Sequence, residues 1–284
     1  MTKTHTIRLG TRGSSLALTQ ANMVKAMLEE HFPDVPIQLI TIKTTGDIRS
    51  EDISSLGGKG VFIKEIEAAL LNNEIDLAVH SFKDITSKPH DSLVYSAFLL
   101  QERVTDAFVL FNKKNVQQDV CVIATGSMRR QALCRELYPN ITCVPIRGNI
   151  DNRIKKAKSL GYDGLILSTA GLQRLDLDHL ITHEPDPVRF IPAPGQGMLA
   201  IQHRVADKHI VPFVEPLITP KTHALGVHYF RLLQGISFNC NLPFGAYING
   251  DDCHAFIEHK HPEYFKFKLT DMPNAIDHIR RTAQ

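Results

Sequence analysis

The chain has 284 residues with a formal net charge of +2, and 43% of its residues are hydrophobic. This length predicts about two domains with cores of their own, and the composition excludes a disordered or collagen-like chain. The near-neutral charge argues against nucleic acid binding over a broad face, although it allows a local basic pocket.

The N-terminal sequence MTKTHTIRLG leads directly into a strand-like pattern, and no apolar run approaches the roughly 20 residues that span a bilayer. We therefore expect a cytoplasmic protein without a membrane partner. The five cysteines lack CxxC spacing, so they are a poor disulfide framework and a poor zinc site. His80 has no second ligand at metal-binding spacing, which favours a satisfied histidine at a strand end. No metal site is predicted.

Strands and helices alternate along the first part of the chain. The segments THTIRLG and PIQLITIKTTG are predicted strands. The segment SSLALTQANMVKAMLEEHFP is an amphipathic helix that begins at Ser14 or Ser15 and ends before Pro33, and GVFIKEIEAALLNN is a second helix. The next strand, IDLAVHS, is apolar on both faces, as expected of a parallel strand covered by helices.

The same alternation then starts again. Strands VCVIATG, ITCVPIRG and DGLILSTAG enclose helices SMRRQALCRELYP and IDNRIKKAKSLG. Two segments, SAFLLQERVTDAFVLF and FIPAPGQGMLAIQ, are predicted to cross between the two α/β regions. After residue 217 a helix, three short strands and a closing helix predict a small α+β domain. The expected domains are α/β domain 1 at residues 1–98 with 197–216, α/β domain 2 at residues 99–196, and α+β domain 3 at residues 217–284.

Cations and hydroxyl groups collect at the carboxyl ends of the predicted strands, which is where open α/β sheets bind their ligands. Arginine forks at helix N-termini suit carboxylates or phosphates. A solvated helix face or a salt bridge is the alternative for any single arginine, but the repeated placement in both α/β regions favours a basic site. The residues concerned are Arg12, Ser14, Lys59, Ser81, Lys83, Thr125, Ser127, Arg129, Arg130, Arg147 and Arg153.

Nucleotide-binding signatures are missing from the sequence. The LGGKG turn has no glycine five residues before Lys59 and has Gly60 where a Walker A loop needs Ser or Thr, and no GxGxxG follows the first strand. A substrate with several carboxylates remains. Asp84 stands among the cations, where it either caps a helix or pairs with Lys83, or handles protons and balances a cation that develops on the substrate. The residues alone leave both interpretations open.

Eight motifs resemble the porphobilinogen deaminase (hydroxymethylbilane synthase) family over residues 5–203: TRGSSLALTQ, TTGD, GGKGVFIKEIEAALL, DLAVHSFKD, TGSMRRQ, RGNIDNR, STAGLQRL and PAPGQG. The resemblance implies two periplasmic-binding-protein-like (type II) domains with a crossing hinge, plus a small α+β domain that carries a cofactor. It implies a transferase that condenses four porphobilinogen molecules into the linear tetrapyrrole hydroxymethylbilane, with release of ammonia. The implied primer is one covalent dipyrromethane per chain.

The resemblance also implies roles for individual residues. Cys240, in SFNCNLPFGAY, matches the cysteine that holds the primer by a thioether, and Asp84 with Lys83 matches the catalytic positions. Loss of ammonia leaves a cation on the pyrrole, which a fixed carboxylate stabilises. The positions that hold acetate and propionate groups, among which Arg12, Arg129 and Arg130 carry most weight, are Arg12, Ser14, Lys59, Ser81, Lys83, Thr125, Ser127, Arg129, Arg130, Arg147, Arg153 and Gln196.

Departures from the family pattern lie near the cofactor cysteine, where Ile236-Ser237-Phe238-Asn239 replaces the usual Leu-Glu-Gly-Gly. The alternative function is a non-catalytic or degenerate cytosolic binding protein for a small carboxylate on the same fold. A thiol hydrolase that uses Cys240 has no supporting local motif. The expected partner is the small-molecule substrate porphobilinogen, without nucleic acid, and the protein is expected to be a monomer.

Overall fold

The computed structural model describes residues 6–44, 63–236 and 242–282. Contacts divide the chain into two units: unit 1 comprises Met1–Gln101 and Met198–Val227, and unit 2 comprises Glu102–Gly197 and His228–Gln284. The described strands are β1 Ile7–Arg12, β2 Ile37–Ile42, β3 Leu77–Ser81, β4 Leu93–Leu99, β5 Asp106–Leu110, β6 Cys121–Ala124, β7 Ile141–Val144, β8 Gly164–Ser168, β9 Leu199–Arg204, β10 Phe244–Asn249, β11 Asp252–Glu258 and β12 Pro262–Lys268. The described α-helices are α1 Ser15–His31, α2 Lys64–Leu71, α3 Met128–Leu137, α4 Ile150–Ser159, α5 Thr169–Gln173, α6 Val211–Val214, α7 Pro220–Gly235 and α8 Met272–Thr282.

Unit 1 is built on a five-stranded mixed sheet with the strand order β2-β1-β3-β9-β4. Strand β1 is parallel to β2 and β3, whereas β9 runs antiparallel to both β3 and β4. Ser14 caps α1 by accepting a hydrogen bond from the Ala17 N–H at 3.3 Å, and Val24 and Leu28 on the same helix are fully buried. The apolar stripe of α1 therefore packs on the sheet, as its helical spacing predicts.

An ion-pair network around the buried Asp76 carboxylate links strand β1 to the start of β3. Asp76, only 2% exposed, accepts hydrogen bonds from the Arg8 backbone N–H at 2.8 Å and from Arg8 Nη2 at 2.7 Å. Arg204 on β9 reaches the same carboxylate with Nη2 at 3.4 Å. Three neighbouring strands are thus tied together by one carboxylate.

Unit 2 contains a four-stranded sheet with the order β5-β8-β6-β7 and a three-stranded antiparallel sheet with the order β10-β11-β12. In the four-stranded sheet β6 is parallel to β7 and β8, and β5 is antiparallel to β8. The core of this unit includes Phe108, Ile123, Leu133, Ile166 and Phe256, all buried. Phe256 belongs to β11, so the small sheet shares this core.

The structure corrects one predicted element boundary. The strand predicted over DGLILSTAG ends at Ser168, because Thr169–Gln173 form the short helix α5. The predicted start of the second helix at Gly60 lies outside the described residues, and the described part of that helix is Lys64–Leu71. The predicted domain boundaries stay a prediction.

Candidate active site

Unit 1 brings predicted site residues together at the carboxyl ends of two parallel strands. Arg12 is the last residue of β1, Ser14 caps α1, and Ser81 is the last residue of β3. Strands β1 and β3 are hydrogen-bonded neighbours in parallel register, so their ends lie at one edge of the sheet. The Ser81 hydroxyl donates to Gln20 Oε1 of α1 at 3.0 Å, which fixes the strand end against the helix.

Asp84 and Lys83 occupy a single 3₁₀ turn, Phe82–Asp84, that directly follows β3. Phe82 is fully buried and anchors this turn, while Lys83 and Asp84 are half-buried. Among the residues that the structure describes, none forms a hydrogen bond or an ion pair with the Asp84 carboxylate. Neither the helix cap nor the Lys83 pair considered from the sequence is therefore seen there.

His80 is buried four residues before Asp84, and it is satisfied as the sequence predicts. Its Nε2 lies 3.0 Å from Gln202 Oε1, and Gln202 Nε2 donates to Glu67 Oε1 at 2.8 Å. The amide oxygen can only accept, so Nε2 carries the proton. Burial lowers the pKa of His80 to about 4, against the smaller raising effects of Gln202 and Asp84. The imidazole is therefore neutral at neutral pH, and it adds no charge beside Asp84.

Unit 2 carries a buried carboxylate that the sequence analysis missed. Asp106, the first residue of β5, is 1% exposed and accepts hydrogen bonds from Arg129 Nη1 at 2.7 Å and from Arg130 Nη2 at 2.6 Å. Gln196 Nε2 donates to it at 3.1 Å. We refer to Asp106, Arg129, Arg130 and Gln196 as the Asp106 cluster. Burial raises the pKa of Asp106, but the two arginine charges outweigh burial and hold the pKa well below its usual range.

The two arginines of the Asp106 cluster use different edges of their guanidinium groups. Arg130 gives its Nε and Nη2 donors to Asp106 and its Nη1 donor to the Ile166 carbonyl. Arg129 uses Nη1 alone, for Asp106 and for the Ile191 carbonyl at 2.7 Å. None of the described residues accepts a hydrogen bond from the Nε or Nη2 group of Arg129. The Nε–Nη2 edge of an arginine can bind a carboxylate through two parallel hydrogen bonds.

Further predicted site residues surround the N-termini of α3 and α4. Ser127 caps α3 by accepting from the Arg130 N–H, and the Thr125 hydroxyl accepts from the Ser127 N–H at 3.3 Å. Arg153 Nε donates to the Gly148 carbonyl at 2.6 Å, while Arg147 is exposed. A Cβ at Gly126 would lie 2.7 Å from the Ile146 carbonyl, so glycine allows the loops after β6 and β7 to touch.

Two of the predicted site residues, Lys59 and Cys240, lie outside the described residues. The strand that follows Cys240 is described, and it packs against the Asp106 cluster. A Cβ at Gly245 would lie 2.8 Å from the Ile191 carbonyl and 3.1 Å from Arg129 Cδ. The Ala246 N–H donates to the Pro192 carbonyl at 3.0 Å. The start of β10 thus rests directly on Arg129.

The described parts of the chain contain free thiols, but they provide neither a metal-binding group of side chains nor a helix that could cross a membrane. Cys121, Cys134 and Cys253 are buried free thiols and Cys143 is a half-buried one. The described residues contain no group of three His, Cys, Asp or Glu side chains that could hold a metal ion. Of the helices described, none is both long enough and apolar enough to cross a membrane.

Each unit presents cations and hydroxyl groups at the carboxyl ends of its parallel strands, so fold and site together define an α/β protein with candidate positions for an anionic ligand. The family model "Porphobilinogen deaminase, dipyromethane cofactor binding domain" matches residues 7–212. The chain belongs to the porphobilinogen deaminase family, as the resemblance of its motifs predicts. Membership makes it a transferase of tetrapyrrole synthesis with a dipyrromethane cofactor.

Curated relatives cover nearly the same length. The chain is 37% identical over 254 residues to the porphobilinogen deaminase of Ehrlichia chaffeensis, covering 87% of this chain and 85% of the relative. It is 37% identical over 259 residues to that of Rickettsia bellii, with the same coverage. Family membership confirms the predicted fold class, in agreement with the five-stranded and four-stranded mixed sheets and the small antiparallel sheet.

Solved structures that resemble the chain are more distant. Immunogenic lipoprotein A from Vibrio vulnificus is 13% identical with a TM-score of 0.47, covering 79% of this chain and 100% of that one. The periplasmic aliphatic sulphonate binding protein SsuA from Escherichia coli is 14% identical with a TM-score of 0.44, covering 81% and 70%.

Proposed function

We propose that Asp84 is the catalytic carboxylate with which this chain condenses four porphobilinogen molecules into hydroxymethylbilane, and that Lys83 assists it. The observation that carries the proposal is the half-buried Asp84 carboxylate, which has no recorded partner among the described residues. A carboxylate that the described residues leave without a partner is available to a cation that forms on a substrate. Its position at the carboxyl end of β3 is the expected place for a ligand in an α/β sheet.

Asp84 has two tasks in this proposal. When ammonia leaves the aminomethyl group of porphobilinogen, positive charge spreads over the pyrrole ring, and the fixed negative charge stabilises it. When the new carbon–carbon bond has formed, the same carboxylate accepts the proton that the ring loses. Neutral His80 adds no charge beside it.

We propose that the residues at the strand ends bind the acetate and propionate groups of the substrate and of the cofactor. The support is the Nε–Nη2 edge of Arg129, together with the hydroxyl groups and helix N-termini around it, which suit carboxylates. The dipyrromethane supplies, when bound, the free pyrrole carbon on which the product grows. The residues proposed to bind are Arg12, Ser14, Lys59, Ser81, Thr125, Ser127, Arg129, Arg130, Arg147, Arg153 and Gln196.

We propose Cys240 as the single attachment point of the dipyrromethane, held through a thioether. The support is the Leu-Pro-Phe-Gly sequence that follows it and the packing of Gly245 on Arg129, which brings this segment to a cation suited to carboxylates. Intact-mass measurement tests the attachment, because the wild-type protein should carry the added mass of two linked pyrroles. The variant Cys240→Ser should lose that mass, and an unchanged mass in the variant would place the tether elsewhere.

The decisive experiment for catalysis is Asp84→Asn, which removes the charge at nearly constant shape. Turnover of porphobilinogen should fall by roughly 10²–10⁴, the range typical of a charge-stabilising or proton-transfer group, while the attached mass and the melting temperature stay close to the wild-type values. Asp91→Asn is a matched control, since Asp91 is exposed in the loop that follows. Wild-type turnover in Asp84→Asn would remove Asp84 from the reaction, and a loaded but inactive wild type would favour the degenerate binding protein.

We also propose that the protein is a cytoplasmic monomer with porphobilinogen as its small-molecule partner, and that it binds neither nucleic acid nor a membrane. The net charge of +2 supports the absence of a broad nucleic acid surface. Light scattering after gel filtration should give a mass near the 31.8 kDa of one chain. A mass of twice that value would show a dimer instead.

A further inference from the structure

Asp106 is the hub of a buried network. Its Oδ1 atom accepts hydrogen bonds from Arg130 Nε at 2.9 Å, Arg130 Nη2 at 2.6 Å and Gln196 Nε2 at 3.1 Å, and its Oδ2 atom accepts from Arg129 Nη1 at 2.7 Å. Two buried cations are thus held by one carboxylate, and the site keeps a net positive charge. A buried cation without such a partner costs several kcal/mol, so Asp106 is what allows both arginines to stay inside.

The network fixes which part of Arg129 is left for a ligand. Asp106 and the Ile191 carbonyl both take the Nη1 group, which leaves the Nε–Nη2 edge as the available fork. The same Arg129 side chain supports Gly245, where a Cβ would come within 3.1 Å of Cδ. A shift of the whole Arg129 side chain would therefore change both the ligand-binding edge and the Cδ contact on which the start of β10 rests.

Gln196 adds a second sign that this cluster faces a ligand. Its Nε2 group donates to the Val104 carbonyl at 2.7 Å and the Thr105 carbonyl at 3.0 Å as well as to Asp106. Its Oε1 atom is buried and has no hydrogen-bond partner among the described residues. A buried acceptor without a donor is costly, and a ligand that brings a donor, such as a pyrrole N–H, would satisfy it.

We propose that Asp106 is a positioning residue for loading of the primer: it holds Arg129 in the one orientation that both offers the Nε–Nη2 edge to a primer carboxylate and supports the strand after Cys240. This inference rests on the proposed function, in which Cys240 carries the primer. Asp106 acts through Arg129 and does not touch the reacting atoms. Loss of the Asp106 carboxylate should slow attachment of the primer even in the fraction of the protein that is folded.

The test follows primer loading by intact mass after porphobilinogen is supplied to protein that lacks the primer. Asp106→Asn removes the charge at constant shape, and loading should be slower by roughly ten- to hundredfold, the effect of a misplaced binding group. Asp106→Glu keeps the charge and should restore part of the loading rate. Leu133→Ala is the control for destabilisation, because this buried α3 residue lies in the same core but takes no part in the Asp106 cluster; its folded fraction should load at the wild-type rate.

The outcomes separate the two proposals. If wild-type protein never gains the primer mass, the proposed function fails. If wild-type protein loads and Asp106→Asn loads equally fast, only the role of Asp106 is overturned. If Asp106→Asn yields no folded protein, Asp106→Glu decides, because it keeps the charge but its longer side chain moves the carboxylate that orients Arg129. Full wild-type loading in Asp106→Glu would show that this orientation does not matter and would overturn the inference, whereas partial loading with a raised KM for porphobilinogen supports it. Slow loading in the Leu133→Ala control would also overturn it, since loss of stability alone would then explain the effect.

Discussion

Acid should destabilise unit 1 through His80, and the size of the effect follows from its pKa. Burial lowers the pKa of His80 to about 4 from an ordinary value of 6.5. Between these two pH values the imidazole is protonated in the unfolded chain but not in the folded chain, so the free energy of unfolding falls as the pH falls. One such group withdraws about 2 kcal/mol of stability at pH 5 and about 3 kcal/mol at pH 4 relative to pH 7.

The variant His80→Gln removes this titration. At pH 7 the variant should be less stable than wild type, because it loses the packing of the ring against Tyr95. The gap should narrow by about 2 kcal/mol between pH 7 and pH 5, as the wild type loses what the variant never had. Urea unfolding of both proteins at each pH, followed by circular dichroism, measures the gap directly.

The charged groups near His80 are the same in the wild type and in His80→Gln, so they do not explain a difference between the two proteins. Asp84 raises the pKa of His80 and Arg12 lowers it, while Glu67 reaches it only through the Gln202 amide. All of these groups remain in the variant, so the difference between the two proteins isolates the imidazole. A gap that stays constant within about 0.5 kcal/mol from pH 7 to pH 5 would refute the assignment of His80 as a buried neutral histidine.

Three further predictions concern stability and binding. Asp76→Asn should lower the free energy of unfolding by about 3 kcal/mol, because it leaves two arginines without their buried carboxylate. Urea unfolding measures this change, and a loss below 1 kcal/mol would contradict the prediction. Gly226→Ala should cost about 1–3 kcal/mol through overpacking, since the new Cβ would lie 2.3 Å from the Phe98 side chain; an unchanged melting temperature would speak against this close contact. Arg130→Leu should lower the free energy of unfolding more than Arg129→Leu does, as measured by urea unfolding. Arg129→Leu should slow primer loading more than Arg130→Leu does, as measured by intact mass. The reverse order in both measurements would exchange the roles of the two arginines.

Local chemistry made much of the fold predictable. Ser14 before an amphipathic stripe and Pro33 after it define α1, because a capping hydroxyl and a missing N–H act within a few residues. The five-residue helix α5 was missed, since it is too short to show a helical period and directly continues an apolar strand.

The candidate site was predictable in place but not in its pairings. Placing Arg129 and Ser127 at a strand end needs only the alternation of strand and helix. The Asp106 pairing depends on β5 returning antiparallel beside β8, which puts Asp106 opposite Ser168 at the edge where α3 begins. No local pattern encodes this long-range contact, although an acidic residue at the start of an otherwise apolar strand is a signal that could have drawn attention to it.

Strand β9 has a consequence for how the protein is made. It lies between β3 and β4 in the sheet, yet it follows them in the chain only after the whole Glu102–Gly197 segment. A nascent chain that has emerged only as far as Gln101 would therefore expose two apolar strand edges with no strand to separate them. We expect premature termination in this region to yield aggregates, and synthesis through Arg204 to be the earliest point at which the first sheet can close.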